Sequence, residues 1–326
     1  MISVEHLTKC YGDLLAVDDL SFEINEGHVY GFLGPNGAGK STTMNIMTGC
    51  LSATGGRVSI DGYDIFDAPG EAKRRMGYLP EQPPLYLNET PEEYLRFVGQ
   101  AKGLKGAELE GQVREVMEQT RIGEVRRRTI SALSKGYRQR VGIAQALLGD
   151  PRVIILGEPT VGLDPIQIIE IRDLIKQLGK THTVIFSSHI LSEVQAICDR
   201  ILIINQGKLI AFDTPEGLEK RLLSPSEITL TAEGTEETVR AILADGAHIT
   251  QMEIREAGAG RVSVTLKTDL DDICQLSRQL FFLFADRKTA LLEMALKKAN
   301  LEDIFLELTE STDTVTQPEE SEAKEG

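Results

Sequence analysis

Hydrophobic and polar positions divide the chain into two parts. Up to residue 222, short apolar runs alternate with helical patterns, which is typical of an α/β domain with a largely parallel sheet. The predicted strands of this part are Val29–Leu33, Arg57–Ile60, Val153–Leu156, Thr183–Ser187 and Ile201–Asn205. Residues 88–150 lack strand patterns, and Thr90-Pro91-Glu92-Glu93 predicts a capped helix start. We interpret residues 88–150 as a helical subdomain inserted into the α/β domain.

The pattern changes after residue 222. Two alternating segments, the first around Ile228 and the second around Val264, are combined with helical spacing at Thr235–Leu243 and again before a final strand. The resulting order, β-α-β-β-α-β, predicts a small ferredoxin-like α+β domain over residues 223–312. Residues 313–326 are acidic and almost free of large apolar side chains, so we expect a disordered acidic tail there.

Charge and composition limit the classes of function. A formal net charge of −15 argues against a nucleic-acid partner, because phosphate backbones require a basic surface. No stretch reaches the roughly 18 apolar residues that span a bilayer, and the first residues lack the pattern of a secretion signal. We therefore expect an intracellular protein that reaches a membrane only through another subunit.

The segment Gly34–Ser41, GPNGAGKS, carries the clearest chemical motif. It fits the phosphate-binding loop G-x-x-x-x-G-K-[ST], follows a predicted strand and opens a helix. Such glycines let backbone N–H groups surround phosphates, while Lys40 reaches the β- and γ-phosphates and the Ser41 hydroxyl ligates Mg²⁺. The predicted ATP-binding residues of this segment, together with the residue that follows it, are Gly34, Pro35, Asn36, Gly37, Ala38, Gly39, Lys40, Ser41 and Thr42.

Four further motifs follow the loop. They are LSKGYRQR at Leu133–Arg140, VIILGEPT at Val153–Thr160, GLDP at Gly162–Pro165, and Ser188-His189. In order and spacing, residues 1–222 resemble the ATPase domain of the ATP-binding-cassette (ABC) family. The variant LSKGYRQR, together with the ending at residues 300–308, resembles the ATPase subunits of ABC-2-type exporters.

The resemblance implies a role for several side chains. Glu158 matches the general base that polarises the attacking water, and His189 matches the histidine that contacts the γ-phosphate. With Lys40 they form the predicted catalytic set. Tyr11 matches the aromatic residue that stacks on adenine, with ATP and Mg²⁺ as the implied substrate and cofactor.

The resemblance also implies partners. In the family, two subunits associate head to tail, so that Ser134 and Gly136 of one subunit cap the ATP of the other, while Asp164 communicates across the interface. We expect a second ATPase subunit, most simply an identical one, and integral membrane permease subunits. The expected location is the cytoplasmic face of the cell membrane, where the protein powers export.

Three departures from the family pattern bear on activity. Gly157 stands where the family has the aspartate that supports Mg²⁺, and Lys135 and Tyr137 alter the signature LSGGQ. Glu81 replaces a glutamine that helps to hold Mg²⁺, and its carboxylate can keep that role. We expect a working but slowed ATPase, whose turnover rises in Gly157→Asp.

Two other classes of function stay open on the sequence alone. The first is an ATP-binding switch with little hydrolysis, because Gly157 replaces the aspartate; a measured turnover distinguishes it from an ATPase. The second is a soluble ABC ATPase of translation or DNA repair. Those proteins resemble two cassettes in one chain or a cassette split by a coiled coil, and the single uninterrupted cassette speaks against them.

Overall fold

The structure is a computed structural model that describes residues 1–221, 226–244, 248–268, 270 and 273–297. The chain forms two compact units, Met1–Glu216 and Gly217–Gly326. The first unit contains two sheets and a helical region, and the second unit contains one sheet with helices. No helix of the described ranges has both the length and the apolar character that crossing a membrane requires.

A six-stranded sheet forms the centre of the first unit, with the strand order β10-β9-β3-β8-β7-β6. Its strands are β3 (Val29–Leu33), β6 (Met76–Leu79), β7 (Val153–Leu156), β8 (Thr183–Ser188), β9 (Arg200–Asn205) and β10 (Lys208–Asp213). All neighbours are parallel except β9 and β10. Every residue of β3, β7 and β8 is buried, which is expected of parallel strands covered on both faces. Their carboxyl ends therefore meet at one edge of the sheet.

A second, antiparallel sheet was not predicted from the sequence. It has the order β2-β1-β4-β5 and consists of β1 (Ile2–Tyr11), β2 (Leu14–Ile24), β4 (Gly55–Ile60) and β5 (Tyr63–Asp64). The predicted strand Arg57–Ile60 belongs to this sheet and not to the parallel one. Irregular pairing of β1 with β2 between Val4 and Cys10 breaks the strict alternation by which a strand is recognised. Buried side chains of both sheets form one core.

Helices cover the parallel sheet and form a separate region within the first unit. The helices of this unit are α1 (Lys40–Met47), α2 (Pro69–Arg74), α3 (Pro91–Ala101), α4 (Gly106–Gln119), α5 (Lys135–Leu147), α6 (Pro165–Leu178) and α7 (Leu191–Gln195). A further helix, α8 (Pro215–Arg221), begins at the end of the first unit and continues into the second. Residues 88–150, all of which are described, contain α3, α4, α5 and two 3-10 turns but no strand. The predicted capping box is present, since Thr90 and Glu93 bond reciprocally at the start of α3.

The second unit has the predicted order of elements. It contains β11 (Ser226–Glu233), α9 (Glu236–Leu243), β12 (Ile249–Gly258), β13 (Arg261–Thr268), α10 (Ile273–Asp286) and β14 (Leu291–Lys297). The strands are antiparallel in the order β12-β13-β11-β14, and their buried face packs on Val239, Leu276 and Phe284. The predicted ending at residues 300–308 and the tail at 313–326 lie outside the described residues.

Candidate functional site

The phosphate-binding loop connects β3, which ends at Leu33, to α1, which begins at Lys40. Two positions of the loop have a left-handed backbone that favours glycine: φ is +81° at Gly37 and +101° at Gly39. A Cβ on Gly39 would also lie 2.6 Å from the carbonyl oxygen of Ala16. The loop therefore leads into the positive end of α1, where the first backbone N–H groups of a helix have no partner within it, which is the arrangement that binds phosphate.

Lys40 is buried beneath this loop. Its Nζ donates to the carbonyl oxygens of Gly34 and Pro35, at 2.8 and 3.1 Å, and lies 3.7 Å from Oε1 of Glu158. Burial lowers the pKa of Lys40, and the carboxylates of Glu158 and Glu81 act in the opposite direction. The ammonium is thus held by fixed carbonyl groups in a region where added negative charge from a phosphate stabilises it.

Glu158 and His189 come together from the ends of two neighbouring strands, β7 and β8. His189 Nδ1 lies 3.0 Å from Oε2 of Glu158, and the Glu158 backbone N–H donates to Ser187 Oγ at 3.0 Å. Glu158 is only 8% exposed and has a φ of +43°, a conformation that costs a non-glycine residue about 1–3 kcal/mol. Such local strain persists only where the surroundings fix it.

These groups open into a cavity of about 530 Å³, a size typical of small-molecule sites. The lining residues are Tyr11, Leu14, Ala16, Asn36, Gly37, Ala38, Gly39, Lys40, Ser41, Thr42, Glu81, Glu158, Val161 and His189. Gly34 and Pro35 contribute through their carbonyl bonds to Lys40. Three of the lining residues, Leu14, Ala16 and Val161, were not predicted from the sequence. Leu14 begins β2, directly after the turn that follows Tyr11. Its side chain is 66% exposed, and the hydrophobic pattern of the sequence does not predict an exposed leucine there.

Gly157 lies against the chain segment that ends β6. Its N–H donates to the Leu79 carbonyl oxygen at 2.7 Å, and a Cβ at position 157 would stand 2.8 Å from the backbone nitrogen of Glu81. Any side chain at this position must displace that backbone. The segment that carries Glu81 takes the space that an aspartate would need. We therefore expect Gly157→Asp to lower turnover, and not to raise it as the motif alone predicted.

The predicted signature and D-loop residues lie at the starts of two other helices. Ser134 caps α5 by accepting from the Tyr137 N–H, and Asp164 caps α6 by accepting from the Gln167 N–H at 2.9 Å. The Gln167 side chain covers Gly136, since a Cβ there would lie 2.7 Å from it. Ser134 and Gly136 line a separate pocket of about 90 Å³, and neither they nor Asp164 line the larger cavity.

The comparisons with known proteins agree with this geometry. The family model described as "ABC transporter" matches residues 17–161. The chain is 34% identical to the linearmycin resistance ATP-binding protein LnrL of Bacillus subtilis, over 96% of this chain and 99% of the relative. It is also 34% identical to the bacitracin transport ATP-binding protein BcrA of Bacillus licheniformis, over 94% of this chain and 97% of that one.

Solved structures give the same result over about two thirds of the chain. The ATP-binding subunit of an ABC transporter is 32% identical, with a TM-score of 0.62 over 68% of this chain and 92% of that chain. A dimeric ATP-binding cassette in a post-hydrolysis state, bound to ADP and Pi, is 26% identical, with a TM-score of 0.60 over 66% and 98%. The protein has the α/β P-loop fold of an ABC ATPase. It belongs to the ATP-binding proteins of the ABC transporter family, as its sequence motifs predicted.

Proposed function

We propose that this protein binds and hydrolyses ATP to power an ABC-type exporter through separate permease subunits at the cytoplasmic face of the membrane. The observation that carries the proposal is the contact of Glu158 with both Lys40 and His189, beside a loop built for phosphate. Three groups from distant parts of the sequence converge on one cavity. Each has the chemistry that phosphoryl transfer to water requires.

In the proposed reaction, Lys40 and backbone N–H groups of the loop between β3 and α1 bind the phosphates, and Tyr11 stacks on the adenine. Glu158 accepts a proton from water as the water oxygen attacks the γ-phosphorus, and ADP leaves with the bridging oxygen. His189 holds the carboxylate through Oε2 and lies where it can donate to the γ-phosphate. The ring of His189 is half-exposed and lines the same cavity as the phosphate-binding loop, which supports this role.

The donors in the cavity fit Mg²⁺ bound together with ATP. Mg²⁺ in such sites uses one or two protein oxygens plus phosphate oxygens and water, so a cluster of carboxylates is not required. The Ser41 hydroxyl and the Glu81 carboxylate line the same cavity, and Glu81 is near enough to act electrostatically on Lys40. Bound Mg²⁺ would neutralise phosphate charge, while Ser41 and Glu81 orient it.

A second subunit completes the proposed site. Ser134, Gly136 and Asp164 lie apart from the cavity of their own chain, at capped helix starts whose N–H groups suit a phosphate of another chain. The dimeric cassette among the similar structures supports this arrangement. We propose a homodimer, in which ATP closes the interface and hydrolysis reopens it.

Two relatives that this chain covers over nearly their whole length support a role in export. One is named for linearmycin resistance and the other for bacitracin transport. We propose the same type of transport here, with an ABC domain at residues 1–222, its helical subdomain at about 88–150, and an accessory domain at 223–312. The β-α-β-β-α-β order of the accessory domain and its antiparallel sheet support a ferredoxin-like class.

The test is phosphate release measured on the same preparation in which ATP binding is measured. The proposal expects saturable, Mg²⁺-dependent release that is lost in Glu158→Gln. An ATP-binding switch, the alternative that Gly157 suggests, would bind ATP and form dimers without release above the Glu158→Gln background. Copurification of a membrane permease with the wild-type chain then tests the role in transport.

A further inference from the structure

Glu193 is a buried carboxylate to which the sequence motifs assign no role. It lies in the short helix α7, immediately after the loop that carries His189, and is 3% exposed. A buried ionised group is costly unless it is paired and hydrogen-bonded. Its partners therefore indicate what the fold uses it for.

Two hydroxyl groups donate to one oxygen of this carboxylate. Thr160 Oγ1 donates to Glu193 Oε2 at 2.7 Å, and Ser188 Oγ donates to the same atom at 3.0 Å. Both hydroxyl-bearing residues are themselves buried. Hydrogen bonds to a charged acceptor are stronger than those between neutral groups, so Oε2 of Glu193 holds both hydroxyl groups in place.

The two hydroxyls belong to the segments that carry the candidate catalytic groups. Thr160 follows Glu158 by two residues at the end of β7, and Ser188 directly precedes His189 at the end of β8. Oε2 of Glu193 thus joins the segment that carries Glu158 to the segment that carries His189, and these two residues are themselves 3.0 Å apart. The left-handed backbone of Glu158 needs such support from its surroundings.

The other oxygen of Glu193 faces a cation. Arg172 Nη2 lies 3.8 Å from Glu193 Oε1, and Arg172 belongs to α6, the helix that Asp164 caps. Within the described residues, no acceptor pairs with the buried Nε of Arg172. The Arg172 guanidinium offsets the negative charge of Glu193 from the side of Oε1, while Oε2 accepts from the two hydroxyl groups.

We propose that Glu193 is a positioning residue, which fixes the distance between Glu158 and His189 by holding Thr160 and Ser188 together. The effect of Glu193 on turnover rests on the proposed ATP hydrolysis, whereas its effect on geometry does not. ATP is bound mainly by Lys40 and the loop at residues 34–42 in the proposed site. The Lys40 ammonium is held by the carbonyl oxygens of Gly34 and Pro35, and it meets the segments that Glu193 joins through Glu158, at 3.7 Å.

The experiment uses the chain of 326 residues and removes one hydroxyl at nearly constant volume. Thr160→Val is expected to lower kcat about 10-fold, the usual size for loss of a group that orients a reacting residue, and to change the Kd of ATP by less than about 2-fold. Thr160→Ser keeps the hydroxyl and should retain most of the turnover. Thr120→Val is the matched control, because Thr120 is 1% exposed and its hydroxyl donates to the Val116 carbonyl oxygen far from the cavity.

A second readout separates geometry from hydrolysis. The ring signals of His189 in a histidine NMR spectrum, assigned with His189→Gln, should move in Thr160→Val and Ser188→Ala but not in Thr120→Val. The proposal is overturned if these signals stay in place, or if they move while kcat is unchanged. Movement of the signals in a chain that shows no hydrolysis at all would support the structural link and refute the proposed ATPase function.

Discussion

His189 Nδ1 lies 3.0 Å from Glu158 Oε2, while Lys40 Nζ lies 3.7 Å from the other oxygen of the same carboxylate. Glu158 is thus contacted on one side by the phosphate-binding loop and on the other by the end of β8. A displacement of any one of the three groups changes the environment of the other two. The variants below are chosen to separate proton transfer, phosphate binding, backbone packing and stacking on the base.

Glu158→Gln should stop hydrolysis and leave ATP binding intact. The amide keeps the shape of the side chain but cannot accept a proton, so we expect a loss of about 10²–10⁴-fold in kcat. Because ATP is then retained, size-exclusion chromatography with Mg²⁺ and ATP should show a shift from monomer to dimer. The control is Glu118→Gln, on the exposed face of α4, which should behave like the wild type.

A variant that hydrolyses ATP at the wild-type rate would remove Glu158 from the role of general base. A variant that stays monomeric at saturating ATP would instead contradict the proposed association of two subunits. The two failures are distinct, since the first concerns the chemistry and the second the assembly.

Lys40→Ala should weaken ATP binding. Removing a buried ammonium that pairs with phosphate costs about 1.5–3 kcal/mol, which corresponds to a Kd raised by about one to two orders of magnitude. Isothermal titration calorimetry measures this directly. Lys180→Ala removes an exposed ammonium from the same unit and should leave the Kd unchanged. Equal affinity in wild type and Lys40→Ala would refute the assignment of the phosphate-binding loop.

Gly157→Ala and Gly157→Asp together separate the effect of space from the effect of charge. Both place a Cβ 2.8 Å from the Glu81 nitrogen, so both should destabilise the protein by about 1–3 kcal/mol and lower turnover. The carboxylate of the aspartate should then lower the Mg²⁺ concentration for half-maximal rate relative to the alanine variant. Gly111→Ala is the control, because a Cβ there meets nothing within 4 Å.

Thermal unfolding and a Mg²⁺ titration of the ATPase rate check this prediction. If Gly157→Ala is as stable and as active as the wild type, the close packing of the Glu81 backbone has no energetic consequence. If the alanine and aspartate variants share one Mg²⁺ dependence, the added carboxylate does not act on the metal.

Tyr11→Ala should reduce the affinity for ATP more than Tyr11→Phe. The ring is 46% exposed at the cavity, with the Lys9 ammonium 5.2 Å from its centroid. Loss of stacking of an aromatic ring on a base costs about 1–3 kcal/mol. Fluorescence titration with a labelled ATP analogue gives both affinities. Tyr63→Ala removes a comparable ring outside the cavity and should have no effect. Equal binding by all three variants would place the adenine elsewhere.

Much of the site could be predicted because its residues lie next to recognisable strand ends. The apolar runs before Gly34, Glu158 and His189 predict parallel strands, and parallel strands bring their carboxyl ends to one edge. The order of elements in the second unit also follows from periodicity. These are local signals, each contained within a few residues.

The features that were missed depend on contacts between distant segments. Because β1 and β2 pair irregularly, the antiparallel sheet could not be predicted from the sequence, and neither could the pairing of Leu14 with Tyr11. Glu193 belongs to a five-residue helix, which is too short to show a helical pattern of apolar residues. Its proposed positioning role is visible only from the Thr160 and Ser188 hydroxyls that bond to it in the fold. The packing of Glu81 against Gly157 likewise has no counterpart in either local sequence.

The contact between Gly157 and the end of β6 has a consequence for the evolution of such subunits. Aspartate can enter at position 157 only if the backbone at Leu79–Glu81 moves outward, and a chain that has made room for aspartate would leave a gap around a glycine. Changes in these two places should therefore be epistatic, each tolerated only on the background of the other. Among related subunits, glycine at this position and the residues around Glu81 are expected to be inherited together and to be exchanged together.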